Sequence, residues 1–190
     1  MLDWQELEEK CHACQGCGLW ETRHNVVFGV GKKDADIMFV GEGPGEQEDL
    51  QGVPFVGPAG QLLDEMLSII DIDRTNCYIA NIVKCRPPRN RDPQEPEQDA
   101  CIGFLRNQFA LVRPRIVVCL GRIAARRLID TNFRITREHG TWTNRQEHQH
   151  RQEDCGQCLH CCFHPFKINV RSLCHMFTIL SIFLFLSFGE

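Results

Sequence analysis

A short apolar strand that breaks into a glycine-rich loop and closes as a helix limits the folds open to this chain. Ile37, Met38, Phe39 and Val40 make the strand. Gly41-Glu42-Gly43-Pro44-Gly45-Glu46 make the loop, and the helix runs from about Ala59. Such a unit builds a ligand site at the carboxyl ends of the strands of a parallel α/β sheet. The loop is a poor phosphate cradle, because a P-loop ends in Gly-Lys-Ser/Thr and this one carries Glu42, Glu46 and Glu48 with no lysine. Three carboxylates repel a triphosphate. A small neutral ligand with donors and acceptors on its edge fits better. Phe55, set between Pro54 and Gly57, is a rigidly held aromatic able to stack on a flat ring; by itself it reads equally well as core.

The remaining periodicity repeats this unit. Residues 3–10 read as a short helix and residues 26–31 as a brief strand or turn. A β-rich run at 77–83 supplies a second parallel strand, and Ile116-Val117-Val118-Cys119-Leu120-Gly121 a third, buried one. Helices are expected near 59–70, from about Pro96 to Val112, and over 122–130. Between them, Pro87, Pro88 and Pro93 rule out regular structure in the loop after Lys84. Strands alternating with helices imply right-handed crossovers and a central parallel sheet covered on both faces, a three-layer α/β/α fold. At 190 residues, one domain with a sizeable core is expected.

The net charge of −4 hides an asymmetry. Residues 1–73 hold four Lys/Arg against fifteen Asp/Glu, whereas residues 74–145 hold fourteen against six. Between Ile102 and Ile129 there are six arginines and no acid. That basic middle is compatible with a phosphate-binding face, and equally with solvated helix surfaces. The opening Met1-Leu2-Asp3-Trp4-Gln5-Glu6 is acidic and lacks the apolar core of a secretion signal, so a cytoplasmic setting is expected.

In that setting twelve cysteines favour metal ligation over disulfides. Cys14 and Cys17 form a C-x2-C pair, and Cys85 and Cys101 flank the proline loop. Four thiolates from two segments suit zinc or a 4Fe–4S cluster, and spacing alone does not decide between them. Cys11 lies just upstream as a competing thiol, while Cys77 and Cys119 sit in apolar runs and read as core. From about Gln146 the character of the chain changes. A polar stretch leads to Cys155, Cys158 and Cys161, a weak second candidate for metal, and then to an apolar run from Met176 to Phe188. That run is thirteen residues, short of the roughly 18–20 that span a bilayer, so no membrane is expected.

Taken together, GEGPGEQED at 41–49, GVPFVGPAGQLLDEML at 52–67, NIVKCRPPRNRDP at 81–93 and VRPRIVVCLGRIAA at 112–125 resemble the family 4 uracil-DNA glycosylases, the iron–sulfur branch of the uracil-DNA glycosylase superfamily. The cysteine pattern matches too, and the resemblance covers about residues 10–145. It implies a DNA-repair hydrolase acting as a monomer on uracil-containing DNA, releasing uracil and leaving an abasic site. It implies a 4Fe–4S cluster, with zinc the lesser alternative, on Cys14, Cys17, Cys85 and Cys101. It implies that Asn81 pairs with the uracil edge, that Phe55 stacks on the extruded base, and that Glu42 and the backbone around Gly43 line the pocket. Glu48 would help order the hydrolytic water, and Arg86, Arg89 and Arg91 would meet DNA phosphates.

The chain departs from the family's pattern at its end. The expected His-Pro motif, whose histidine donates to uracil O2, is met only by His164-Pro165, 24 residues after Gly140, and the following residues do not match. His164 is the candidate donor. Residues 1–145 are therefore expected to form a glycosylase-like domain incomplete at its C-terminal end. Residues 146–190 form a divergent tail, explained by a shifted reading frame or by a lack of stable order. Two other functions stay open on these residues. One is a homologue that binds uracil-containing or single-stranded DNA without turnover; the other is an iron–sulfur redox module.

Overall fold

The computed structural model describes residues 2–143. The proposals for the tail, His164 and the cysteines at 155, 158 and 161 among them, lie outside the described residues. Helix α1, Trp4–His12, opens on a capping box in which Asp3 Oδ1 accepts the Glu6 amide at 2.8 Å and Glu6 reaches back to the Asp3 amide. Then follow β1 (Val30–Gly31), β2 (Ile37–Gly41), α2 (Glu46–Gln51), α3 (Pro58–Ser68), β3 (Tyr78–Asn81), α4 (Glu95–Val112), β4 (Ile116–Cys119), α5 (Arg122–Leu128) and α6 (Ile135–Glu138).

The sheet order is β1-β3-β2-β4. Strand β2 pairs in parallel with β3 on one side and β4 on the other, as the alternation of strands and helices requires. The short β1 adds an antiparallel edge, making the sheet mixed. Side chains of successive strand residues point to opposite faces, and the core divides accordingly. Met38, Val40, Tyr78 and Ala80 pack with Leu105, Phe109 and Val112 of α4 and Ala124 of α5. Phe39 and Ile79 pack on the other face with Leu63, Met66 and Leu67 of α3. Two helical layers thus sandwich the sheet, and α1 covers the outer side of α4 through Leu7 and Cys11. Burying a residue such as Leu105 stabilises the fold by about 1.5–3 kcal/mol.

Helix α4 buries Cys101, Ile102, Leu105, Gln108, Phe109 and Val112, one face at helical spacing. It stops at Arg113 in the left-handed region, because Pro114 cannot continue it and disfavours the helical conformation in the residue before it. Two elements differ from expectation. The acidic loop turns helical at α2, closed by the Glu48 carboxylate on the Gly45 amide and ended by Gly52 at φ 72°. Strand β4, expected to be buried, is half-exposed, with Val117 at 38%, because among the described residues it is the sheet's edge. Among the described residues, no helix is long and apolar enough to cross a membrane.

Candidate active site and metal centre

The parallel register places Gly41, the last residue of β2, beside Asn81, the last of β3. The ladder continues one step further, with the Ile82 amide donating to the Gly41 carbonyl at 2.9 Å and the Val83 amide to the Glu42 carbonyl at 3.2 Å. Both strands therefore end at one level, and the loops that leave them face each other. Gly41 has no room for a side chain, since a β-carbon there would lie 2.5 Å from Asn81 Oδ1 and 2.6 Å from Phe55 Cζ. The carboxamide and the aromatic ring meet at that point.

Asn81 is 2% exposed, and its Oδ1 is buried without a hydrogen-bond partner. An unpaired buried acceptor costs about 1–3 kcal/mol, so such an atom points to a ligand that completes it. Phe55 is held in an unusual backbone state, φ 55°, which costs an ordinary side chain of order 1–3 kcal/mol and is tolerated where neighbours over-determine it. Those neighbours are visible. Arg74 donates to the Pro54 carbonyl at 2.9 Å and to the Phe55 carbonyl, and its Nε bonds Asp64 of α3 at 2.7 Å. Gly60 of α3 lies so close to the Phe55 carbonyl that a β-carbon would overlap it.

Glu48 binds three amides, Gly45 at 3.1 Å, Val56 at 2.9 Å and Gly57 at 2.8 Å, and so ties the start of α2 to the segment carrying Phe55. Glu42 accepts the Ile123 amide at the start of α5 at 3.1 Å. Burial raises its pKa above the ordinary carboxylate range, the Ile123 bond and Arg122 opposing that rise. Gly43 lies against Val83 and Pro87. Asp49, fully buried, accepts the His24 and Asn25 amides at 3.0 and 3.3 Å and the His24 ring at 2.7 Å, fastening the approach to β1 onto α2.

Cys14, Cys17, Cys85 and Cys101 line one small cavity together with Cys11, Trp20, Arg23 and Lys84. Three N–H groups already point at sulfur. The Gly16 amide donates to Cys14 at 3.4 Å, Arg23 Nη1 to Cys85 at 3.3 Å, and the Lys84 amide to Cys101 at 3.3 Å. Donors of this kind suit thiolates that hold a metal group, since they offset its negative charge and fix the ligands. Among the described residues no three His, Cys, Asp or Glu side chains converge closely enough to grip a single metal ion. As bare thiols, Cys11 and Cys101 are pushed by burial up to about 12 and about 11. Cys77 is buried in the core on the α3 face, as expected.

The three candidate phosphate ligands are in different states. Arg89 is exposed, and with Thr22, Arg86, Pro87 and Pro88 it lines an open groove beside the cysteine cavity. Arg86 bonds Asn90 at 2.7 Å and pairs with Glu46 at 3.5 Å. Arg91 grips Glu97 through two bonds, at 2.6 and 2.8 Å, and holds that carboxyl below the usual range. It closes the N-terminus of α4, where Glu97 also takes the Gln94 amide at 2.7 Å.

Sequence reasoning overlooks Arg74, Asp49, Arg23 and Lys84. For Asp49 the motif GEQED offers a cue, since a carboxylate in an otherwise exposed first turn needs a partner only if it faces inward. For Arg74 and Arg23 the partners lie nine or more residues away, and for Lys84 the side-chain partner Gln108 lies 24 away.

Comparison with known proteins gives a consistent answer. A model of the uracil DNA glycosylase superfamily matches residues 28–178. The type-4 uracil-DNA glycosylase of Archaeoglobus fulgidus is 50% identical over 136 residues, 70% of this chain and 68% of that protein. That of Thermotoga maritima is 48% identical over 124 residues, 65% of each chain. That of Sulfurisphaera tokodaii is 49% identical over 119 residues, so the chain spans 54% of its length.

Proposed function

This chain belongs to the uracil DNA glycosylase superfamily, alongside its type-4 relatives, and on that premise we propose that it hydrolyses the N-glycosidic bond of uracil in DNA. One observation carries the proposal: the unpaired Oδ1 of Asn81, buried beside the Phe55 ring. Uracil presents N3–H flanked by carbonyl oxygens. Asn81 Oδ1 takes the N3 proton while its amino group donates to O4. Cytosine reverses both roles, leaving buried groups unpaired, and a site built on hydrogen bonds rejects such a mismatch by roughly 10⁴-fold.

The target base leaves the stack to be reached, and Phe55 replaces part of its lost stacking. Arg74 and Glu48 hold Phe55 from behind, so the pocket is rigid before the base arrives. As the glycosidic bond breaks, charge develops on uracil O2, and the amides around Gly43 stabilise it; His164, outside the described residues, is the candidate for a further donor. Glu48 uses its oxygens on three amides, and a carboxylate's about four acceptor positions leave one for the attacking water. Glu42 closes the floor of the pocket against α5.

Cys14, Cys17, Cys85 and Cys101 would hold a 4Fe–4S cluster, which when bound ties the turn after α1 to the loop that carries the arginines. The cluster, rather than zinc, is what the type-4 likeness favours, and the four thiols share one cavity. Arg86 and Arg89 then meet phosphates, which position the protein without reading sequence. Arg91 stands behind them, pinned to α4.

The test is incubation with a single-stranded oligonucleotide holding one uracil, followed by alkali. Strand scission at that position with release of free uracil supports the proposal. Tight binding without scission identifies the non-catalytic DNA-binding homologue instead. Neither binding nor scission leaves the redox module.

A further inference from the structure

Lys84 stands three residues after Asn81 and immediately before Cys85. It is 1% exposed. Its Nζ donates to the Asn81 carbonyl at 3.0 Å and to Gln108 Oε1 of α4 at 2.7 Å. Gln108, fully buried, passes the connection on through Nε2 to the Phe28 carbonyl at 2.9 Å and the Tyr78 hydroxyl at 3.1 Å. The Lys84 amide meanwhile donates to Cys101 Sγ, and the residue lines the cysteine cavity. A lysine is almost never fully buried, and burial of an ammonium is costly unless every partner is supplied. An apolar residue would be the cheaper filler here, so the charge at this place has a structural purpose.

We infer that Lys84 is a positioning residue for uracil recognition, fixing the Asn81 peptide to α4 and to the wall of the cysteine centre. It touches neither the base nor the reacting bond. Asn81 ends β3, where it pairs with Gly41 of β2. The Lys84 ammonium adds a second fixed point behind it. Without that bond the Asn81 carbonyl and the Gln108 oxygen lose their partner, the strand end gains freedom, and the carboxamide no longer meets the base squarely.

The inference rests on the uracil reading, so the experiment separates the two. Lys84→Met keeps a long unbranched side chain, one atom shorter, and removes its donors. Gln108→Leu removes the far anchor, and Gln108→Glu keeps an acceptor for Lys84. Each iron-reconstituted protein is assayed for iron per chain, for binding of free uracil and free cytosine, and for hydrogen exchange of the peptide 78–84. We expect Lys84→Met to keep its iron, to bind uracil about tenfold more weakly, to lose uracil-over-cytosine preference by the same factor, and to exchange faster at 78–84. Gln108→Leu moves the same way, whereas Gln108→Glu, which loses the donor to the Phe28 carbonyl but keeps the acceptor for Lys84, loses stability yet keeps the parent's uracil-over-cytosine preference. Unchanged uracil preference in Lys84→Met and Gln108→Leu, or iron loss in step with the uracil loss, overturns the inference. Should Lys84→Met fail to fold, the contrast between the two Gln108 variants decides it. Should the parent bind no uracil, the functional reading fails, and exchange at 78–84 unchanged by the substitutions defeats the anchor as well, while faster exchange upholds it.

Discussion

The Asn81 carboxamide and the Phe55 ring meet over Gly41, each within 2.6 Å of the place a side chain on that glycine would occupy. The carboxamide comes from the end of β3, which the parallel pairing sets beside Gly41, and the aromatic from the loop between α2 and α3. A pocket so made is sensitive to a single carbon.

Gly41→Ala is therefore expected to force Asn81 and Phe55 apart. The overpacking costs about 1–3 kcal/mol of stability, read as a lower denaturant midpoint. Uracil release falls by on the order of a hundredfold or more, since both recognition groups move. An alanine variant with parental activity contradicts the close approach.

Arg74 is expected to act on activity through Phe55. Arg74→Met deprives the Pro54 and Phe55 carbonyls of their donor, and Phe55 can relax from its positive φ. The expected loss is about 1–3 kcal/mol of stability and about tenfold in kcat/KM. Loss of stability with kcat/KM unchanged would make Arg74 a brace for α3 alone.

Glu42 gives a pH prediction. Burial raises its folded-state pKa above the ordinary 4.5, so its favourable contribution is full below 4.5 and is lost as pH rises through the raised value. Glu42→Gln cannot ionise and can still accept the Ile123 amide. Its unfolding free energy relative to the parent should climb as pH rises from 4.5 toward neutrality, then level off. A pH-independent gap over that window contradicts the buried charge.

Arg23 should govern how firmly the cysteine centre holds metal. It binds the His12 carbonyl at 2.9 Å, the Cys14 carbonyl at 2.8 Å and Cys85 Sγ at 3.3 Å, joining the two halves of the ligand set. In Arg23→Met the visible absorbance of iron-loaded protein is expected to decay about tenfold faster under chelator. An unchanged decay would place Arg23 outside the centre's support.

Much of this site is legible in the residues. The strand–glycine–helix unit and the two later strands imply the parallel core, and the motif resemblance marks Phe55, Asn81 and the four cysteines that share a cavity. What stays hidden depends on partners far away in sequence. Lys84 sits in a run of Lys, Cys and Arg that reads as a basic loop, and only the fold puts Gln108 and the Asn81 carbonyl in its reach. Arg91 reads like Arg86 and Arg89, yet Glu97 comes round on the first turn of α4 to engage it. Strand β4 is as apolar as a central strand, but composition does not tell a centre from an edge. The acidic loop hides α2 because its cap is a glycine and its capping partner is the glutamate expected to face water.

Asn81→Ala on a uracil-containing single strand tests the central claim most directly. The single-turnover rate of uracil release should fall by on the order of a hundredfold or more, two buried hydrogen bonds being lost, while iron content and unfolding midpoint stay close to the parent's. Uracil released at the parental rate by that variant would contradict the account.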